Sequence, residues 1–241
     1  MTQPPARVVI IGGTSGIGFA VAQAALAQGD QVVVASSQAA NVEAAVGSLG
    51  PSATGHAVDV KDETDVAAFF ARVGAFDHLV FTAGDWGGRG PRTLAETDLA
   101  LAATRLAVRF WGALAAIKHG LAAITPAGSI TLTDGLLAHR PRKGSALSTA
   151  MAGAIEHLTR GLAVDLAPIR VNAVCPGLIR TDVWNSLPEE GREAQFQRMT
   201  AHQPLARIGE PAEVAAAYIH LMRAGYTTGQ VLHVDGGGSV V

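Results

Sequence analysis

The chain has a single cysteine, Cys175, so no internal disulfide can staple it, and a reducing compartment fits. Charge is sparse: 16% of the 241 residues are Asp, Glu, Lys or Arg, with a net charge of −2. No run of Lys or Arg exists, so the electrostatic footprint of a nucleic-acid binder is missing. Nor is there an unbroken apolar run of about eighteen residues, and no membrane partner is expected. The start, Met1 to Arg7, carries Pro4 and Pro5 and lacks the apolar segment of a signal peptide. These absences together predict a cytoplasmic protein. Tyrosine and lysine are scarcer still: Tyr218 and Tyr226, and Lys61, Lys118 and Lys143, are all the chain has.

What it does have is apolar residues, 49% of the total, enough for a large buried core. Short β-branched runs alternate with longer Ala-rich amphipathic segments. Strands are predicted at Arg7–Ile11, Gln31–Ala35, His56–Val60, His78–Thr82, Gly128–Thr133, Arg170–Val174 and Gln230–Val234. Helices are predicted at Ile17–Gln28, Glu63–Arg72, Asp98–His119, Ser145–Leu166 and Pro211–Met222, the last with Pro211 in its first turn. Continuous apolar strands separated by helices make an α/β fold of Rossmann type. The expected architecture is a doubly wound parallel sheet of seven strands with helices on both faces. No repeat or linker interrupts it, so residues 1–241 read as one domain.

Between the first strand and first helix lies Gly12-Gly13-Thr14-Ser15-Gly16-Ile17-Gly18. Glycines let the backbone turn sharply and approach a pyrophosphate, and the helix N-terminus offers free N–H groups and a positive dipole end. At the first βα junction this pattern predicts a nicotinamide dinucleotide held by Gly12, Thr14, Ser15, Gly16, Ile17 and Gly18. After the second strand come Ser36 and Ser37 with no carboxylate to bind a free ribose 2′-hydroxyl. Two hydroxyls there favour NADP(H) over NAD(H).

Five motifs in order resemble the short-chain dehydrogenase/reductase family over nearly the whole chain. They are Gly12/Gly16/Gly18, Asp59-Val60, Thr82-Ala83-Gly84, Pro176-Gly177 with Thr181, and Val234-Asp235-Gly236-Gly237. The resemblance implies adenine contacts from Asp59 and Val60, a cofactor wall from Thr82, Ala83 and Gly84, and nicotinamide contacts from Pro176, Gly177, Ile179 and Thr181. It also implies a small-molecule substrate and a homodimer or homotetramer formed through the two long helices. The C-terminal Gly236–Val241 segment is a further place for an interface.

The resemblance fails at the catalytic centre. The family uses Asn, Ser and Tyr-x-x-x-Lys; here the matching positions carry Arg109, Asp134, Ser148 and Ala152. No register places Tyr-x-x-x-Lys on the helix before the sixth strand, because Ser145–Leu166 holds no tyrosine or lysine. Ser148 is a weak acid that can orient a substrate. Asp134 has three readings: an ionised group repelling an alkoxide, a neutral acid raised by burial, or an anion stabilising an imine or iminium. Hydride addition to an iminium needs no proton donor at that step. Arg109 reads as an ion-pair partner of Asp134 across the pocket floor.

The leading expectation is therefore an NADP(H)-dependent reductase with a non-standard active site, acting on an imine, an iminium or a bulky carbonyl compound. Two others stand beside it: a non-catalytic NADP-binding sensor or subunit, and a redox-neutral enzyme with Asp134 or His139 as acid/base. Asp85 and Trp86 are placed at the pocket mouth. Trp184, Leu187, Met199 and His202 are placed on a covering segment, or on an ordinary amphipathic helix. His139, Arg140, Arg142 and Lys143 form a basic loop, solvated or facing an anionic substrate. No metal is assigned, since His56, His78, His119 and His157 lack ligand spacing. Cys175 reads as a packed small hydrophobe.

Overall fold

The computed structural model describes residues 4–84, 93–104 and 106–241. Asp85 and Trp86 lie outside the described residues. Seven parallel strands form one sheet: β1 (Arg7–Ile11), β2 (Gln31–Ser36), β3 (Ala53–Ala57), β4 (Phe76–Phe81), β5 (Ile124–Thr133), β6 (Arg170–Pro176) and β7 (Val231–Val234). Their spatial order is β3-β2-β1-β4-β5-β6-β7. The chain thus winds outward from β1 in one direction and returns at β4 to wind in the other. The reversal opens a crevice at the carboxyl ends of β1 and β4, where ligands bind in such sheets.

Both faces are covered. α1 (Gly16–Ala27), α2 (Ala39–Leu49) and α8 (Pro211–Arg223) close one face over Val8, Ile10, Val32 and Val34. α3 (Glu63–Val73), α5 (Ala113–Gly120) and α6 (Ala146–Asp165) close the other over Val9, Ile11, Leu79 and Ile130. Alternate residues of β1 feed opposite cores, which is why Val8 to Ile11 are all apolar.

Three expectations are corrected. β3 ends at Ala57 instead of running to Val60. Val58 and Val60 are buried, but the chain leaves the sheet there, and the Asp59 carboxylate accepts from the Lys61 amide to form the turn into α3. α2 went unpredicted although Val42, Ala45, Val46 and Leu49 have helical spacing; Gly47 and Ser48 dilute the pattern. The predicted Asp98–His119 helix is broken into α4 (Leu99–Thr104), a π-helical turn over Ala107–Gly112, and α5. The stretch Leu99–Gly120, of mean hydropathy 1.4, is long and apolar enough to cross a membrane. Its second half packs on the sheet through buried Ala113, Ala116, Ile117 and Gly120, while Leu99, Leu101 and Trp111 are exposed.

A further helix, α7 (Arg192–Thr200), follows β6 and buries Phe196 and Thr200. The Asp30 carboxylate at the start of β2 receives two hydrogen bonds from Arg223 at the end of α8, 2.8 and 2.7 Å. The Ala6 amide adds a third at 2.9 Å. That clamp ties the two halves of the sheet together behind the crevice.

Candidate active site

The Gly-rich turn is built from its own backbone. Gly12 donates to the Ala35 carbonyl at 2.8 Å, and the Thr82 hydroxyl bonds the Ile11 and Gly12 carbonyls at 3.2 and 3.1 Å. A Cβ on Gly18 would stand 2.1 Å from the Gly12 carbonyl oxygen and 2.4 Å from the Thr82 hydroxyl. Only glycine lets α1 start this close to β4. Ser15 caps α1 with no side-chain hydrogen bond to the helix, and no acidic residue sits in the first turn. The N–H groups and positive end of α1 therefore face the crevice unopposed. The site thus fits an anionic dinucleotide by donor chemistry.

A cavity of about 670 Å³ runs along this turn. Of the residues assigned to the cofactor, Gly12, Thr14, Ser15, Gly16, Ile17, Gly18, Ser36, Ser37, Asp59, Val60, Thr82, Ala83, Gly84, Pro176 and Thr181 line it. Gly177 and Ile179 do not. Gly177 donates its amide to the Val234 carbonyl, and Ile179 is buried against the α1–α8 side of the core. Gln38, Val58, Lys61, Val108, Asp182 and Val183 line it without having been foreseen. Lys61 was legible, directly after Asp59-Val60, and pairs with Asp59 at 3.6 Å. Trp184 is turned from the cavity: its indole N–H donates to the Ile179 carbonyl at 2.7 Å and its ring packs edge-on against Phe196. Val183 takes the lining position.

Arg109 lines the cavity from the π-helical turn, but it does not bridge to the Asp134 carboxylate. Its Nη1 donates to the main-chain oxygens of Thr133 and Asp134 at 3.2 and 3.3 Å. The guanidinium lies against Gly84, where a Cβ would meet Nη2 at 2.3 Å. Arg109 thus fastens the end of β5 to the end of β4. Its extra charge lies over main-chain oxygens, the favourable side of those dipoles.

Asp134 is fully buried, and neither carboxyl oxygen has a conventional hydrogen-bond donor. Burial, with the Glu156 carboxyl beside it, raises its pKa to about 8. This environment favours the neutral carboxylic acid, one of the three readings of Asp134. Burial works against the Glu156 carboxylate too. There, the neighbouring Asp134 carboxyl, with His139 and Arg160, outweighs it and holds the pKa low. His139 Nε2 meets Glu156 Oε1 at 2.5 Å, so this exposed loop histidine is tied to the buried Asp134–Glu156 pair. Arg140, Arg142 and Lys143 are exposed. Ser148, half-buried on α6, does not line the cavity.

Comparison with known proteins agrees with this geometry. The family profile described as enoyl-(acyl carrier protein) reductase matches residues 12–239. A short-chain dehydrogenase/reductase, ucsE, from Acremonium sp. is 36% identical over 95% of this chain and 94% of its own. Another, malC, from Malbranchea aurantiaca is 33% identical over 96% and 93%. The solved MalC reductase/Diels-Alderase superposes with a TM-score of 0.91 at 31% identity, covering 98% of this chain and 97% of that one. An NADPH-bound short-chain oxidoreductase from Pseudomonas aeruginosa PAO1, described as containing an atypical catalytic centre, gives 0.89 at 28% identity and 96% coverage of each. With the seven-stranded sheet, the Gly-rich turn and these matches in register, the chain is a member of the short-chain dehydrogenase/reductase family of oxidoreductases.

Proposed function

We propose that this single-domain protein is an NADP(H)-dependent reductase whose acceptor is an imine, an iminium or a bulky carbonyl compound, reduced without the family's Tyr–Lys pair. One observation carries this reading. The cavity keeps its pyrophosphate turn and the nicotinamide-side residues Pro176 and Thr181, while no tyrosine or lysine stands on α6. Bound NADPH supplies a hydride. The chain supplies the N-terminus of α1 for the phosphates and Ser36 and Ser37 for the 2′-phosphate. Two structural neighbours described with NADPH support the cofactor choice.

The proton question separates the acceptors. A ketone must collect a proton on oxygen, and neutral Asp134, at the family's serine position, is the acid this reading assigns. An iminium needs none, and a site stripped of Tyr and Lys costs it nothing. Steady-state NADPH oxidation against matched ketone and cyclic imine panels, with wild type and Asp134→Asn, tests both. Ketone turnover lost in the variant assigns Asp134 as the acid; imine turnover retained in it assigns the iminium route. Tight NADPH binding with no turnover on either panel would replace this reading with the sensor or subunit. Conversion without net NADPH consumption would replace it with the redox-neutral enzyme.

The reading includes a cytoplasmic setting, no nucleic-acid or membrane partner, and an assembly of two or four copies. Leu99, Leu101 and Trp111, exposed along the segment that precedes α5, support the assembly.

A further inference from the structure

Outside the cofactor cavity, strand register gathers a second group of side chains. Asp134 follows β5, its amide bonded to the Val174 carbonyl, which sets it beside Cys175 of β6. Cys175 is the register partner of His233 on β7. A row of carboxyl, thiol and imidazole therefore crosses three adjacent strands, and His139 descends on it from the loop after β5. Ligand atoms of His139, Cys175 and His233 lie within 4.8 Å of one another. The two imidazole centroids are 4.3 Å apart.

We propose that His139, Cys175 and His233 form a binding site for a borderline-soft divalent cation of the zinc class. Two imidazoles and one thiolate leave a fourth position open, a donor set that zinc accepts. Glu156 already engages Nε2 of His139, so Nδ1 is the nitrogen turned to the cation. A carboxylate holding the far nitrogen of a ligand histidine is the usual outer support of such sites. The side chains around the sulfur point the same way. Both oxygens of fully buried Asp134 and the buried Nδ1 of His233 lack a hydrogen-bond partner. A cation binding here displaces the thiol proton and takes three protein ligands, with Glu156 as outer support. His139 and His233 are each about 30% exposed at the side chain, which leaves an entry path.

The test uses the full chain, stripped with a chelator and titrated with Co2+ and then Zn2+. The expected result is one equivalent of Co2+, a thiolate-to-cobalt charge-transfer band, and a rise in Tm that Zn2+ reproduces. Cys175→Ser abolishes the band, His233→Gln and His139→Gln each weaken binding, and Glu156→Gln weakens it about tenfold through loss of the outer support. His157→Gln, outside the cluster, leaves binding unchanged. Far-UV circular dichroism and NADPH binding confirm that each variant is folded. If Co2+ fails to bind, or binds without a charge-transfer band, or binds Cys175→Ser and His233→Gln as tightly as wild type, the cluster is a proton-sharing network only and the proposal fails.

Discussion

The hydroxyl of Thr133 and the phenol of Tyr218 lie 2.6 Å apart in the buried interior, and Thr133 passes its own proton to the Phe81 carbonyl at 2.7 Å. Tyr218 is fully enclosed, and burial pushes its pKa far up despite the Thr133 hydrogen bond. Tyr226, the other tyrosine, is fully exposed. Neither replaces the family's proton donor. Tyr218→Phe is therefore expected to keep wild-type kcat with any reducible substrate while losing about 1 kcal/mol of stability, the worth of one buried hydrogen bond. Paired kinetics and urea unfolding check this; a collapse of kcat would make Tyr218 the acid.

Asp134 sets a stability slope with pH. Its folded pKa of about 8 stands above the unfolded carboxylate value, so the folded state holds a proton that the unfolded state has released. The resulting stabilisation is complete below about pH 4 and is lost as pH rises to 8, by at most roughly 1.4 kcal/mol per unit. Asp134→Asn removes the titration. Relative to wild type, the variant should gain stability progressively from pH 5 to pH 8 in chemical denaturation. A difference that does not change with pH would show that Asp134 is ionised in the fold.

Gly18→Ala tests the turn. The new Cβ meets the Gly12 carbonyl and the Thr82 hydroxyl, both fixed, so the turn must open. NADPH affinity is expected to fall about 10- to 100-fold, or 1.4–2.8 kcal/mol, by calorimetry. Unchanged affinity would place the dinucleotide elsewhere.

The Asp30–Arg223 clamp is buried at the carboxylate end. Removing one partner strands the other, so Arg223→Met should cost about 3 kcal/mol. Asp30→Asn with Arg223→Met together should cost less than the sum of the two single changes, which a double-mutant cycle in urea measures.

Residues whose structure follows from local pattern were legible before the fold was known. Val8 to Ile11 and Val32 to Val34 are β-branched on both faces and became inner strands of the sheet. The Gly12–Gly18 turn was readable because its chemistry is main-chain chemistry. Val58 and Val60 misled because apolar residues that fill a core need not lie in a sheet. Arg109 was assigned a carboxylate because opposite charges suggest a pair, whereas the wide turn aims it at carbonyls. His139, Cys175 and His233 are distant along the chain; the β6–β7 register pairs the last two, and the loop after β5 brings in His139.

The π-helical turn over Ala107–Gly112 carries one residue more per turn than the helix that follows it. Such a surplus acts as a phase adjuster. It lets the apolar face of α5 stay seated on the sheet while the guanidinium of Arg109 is rotated independently toward the cavity. The segment therefore decouples the anchoring of a helix from the aim of a side chain.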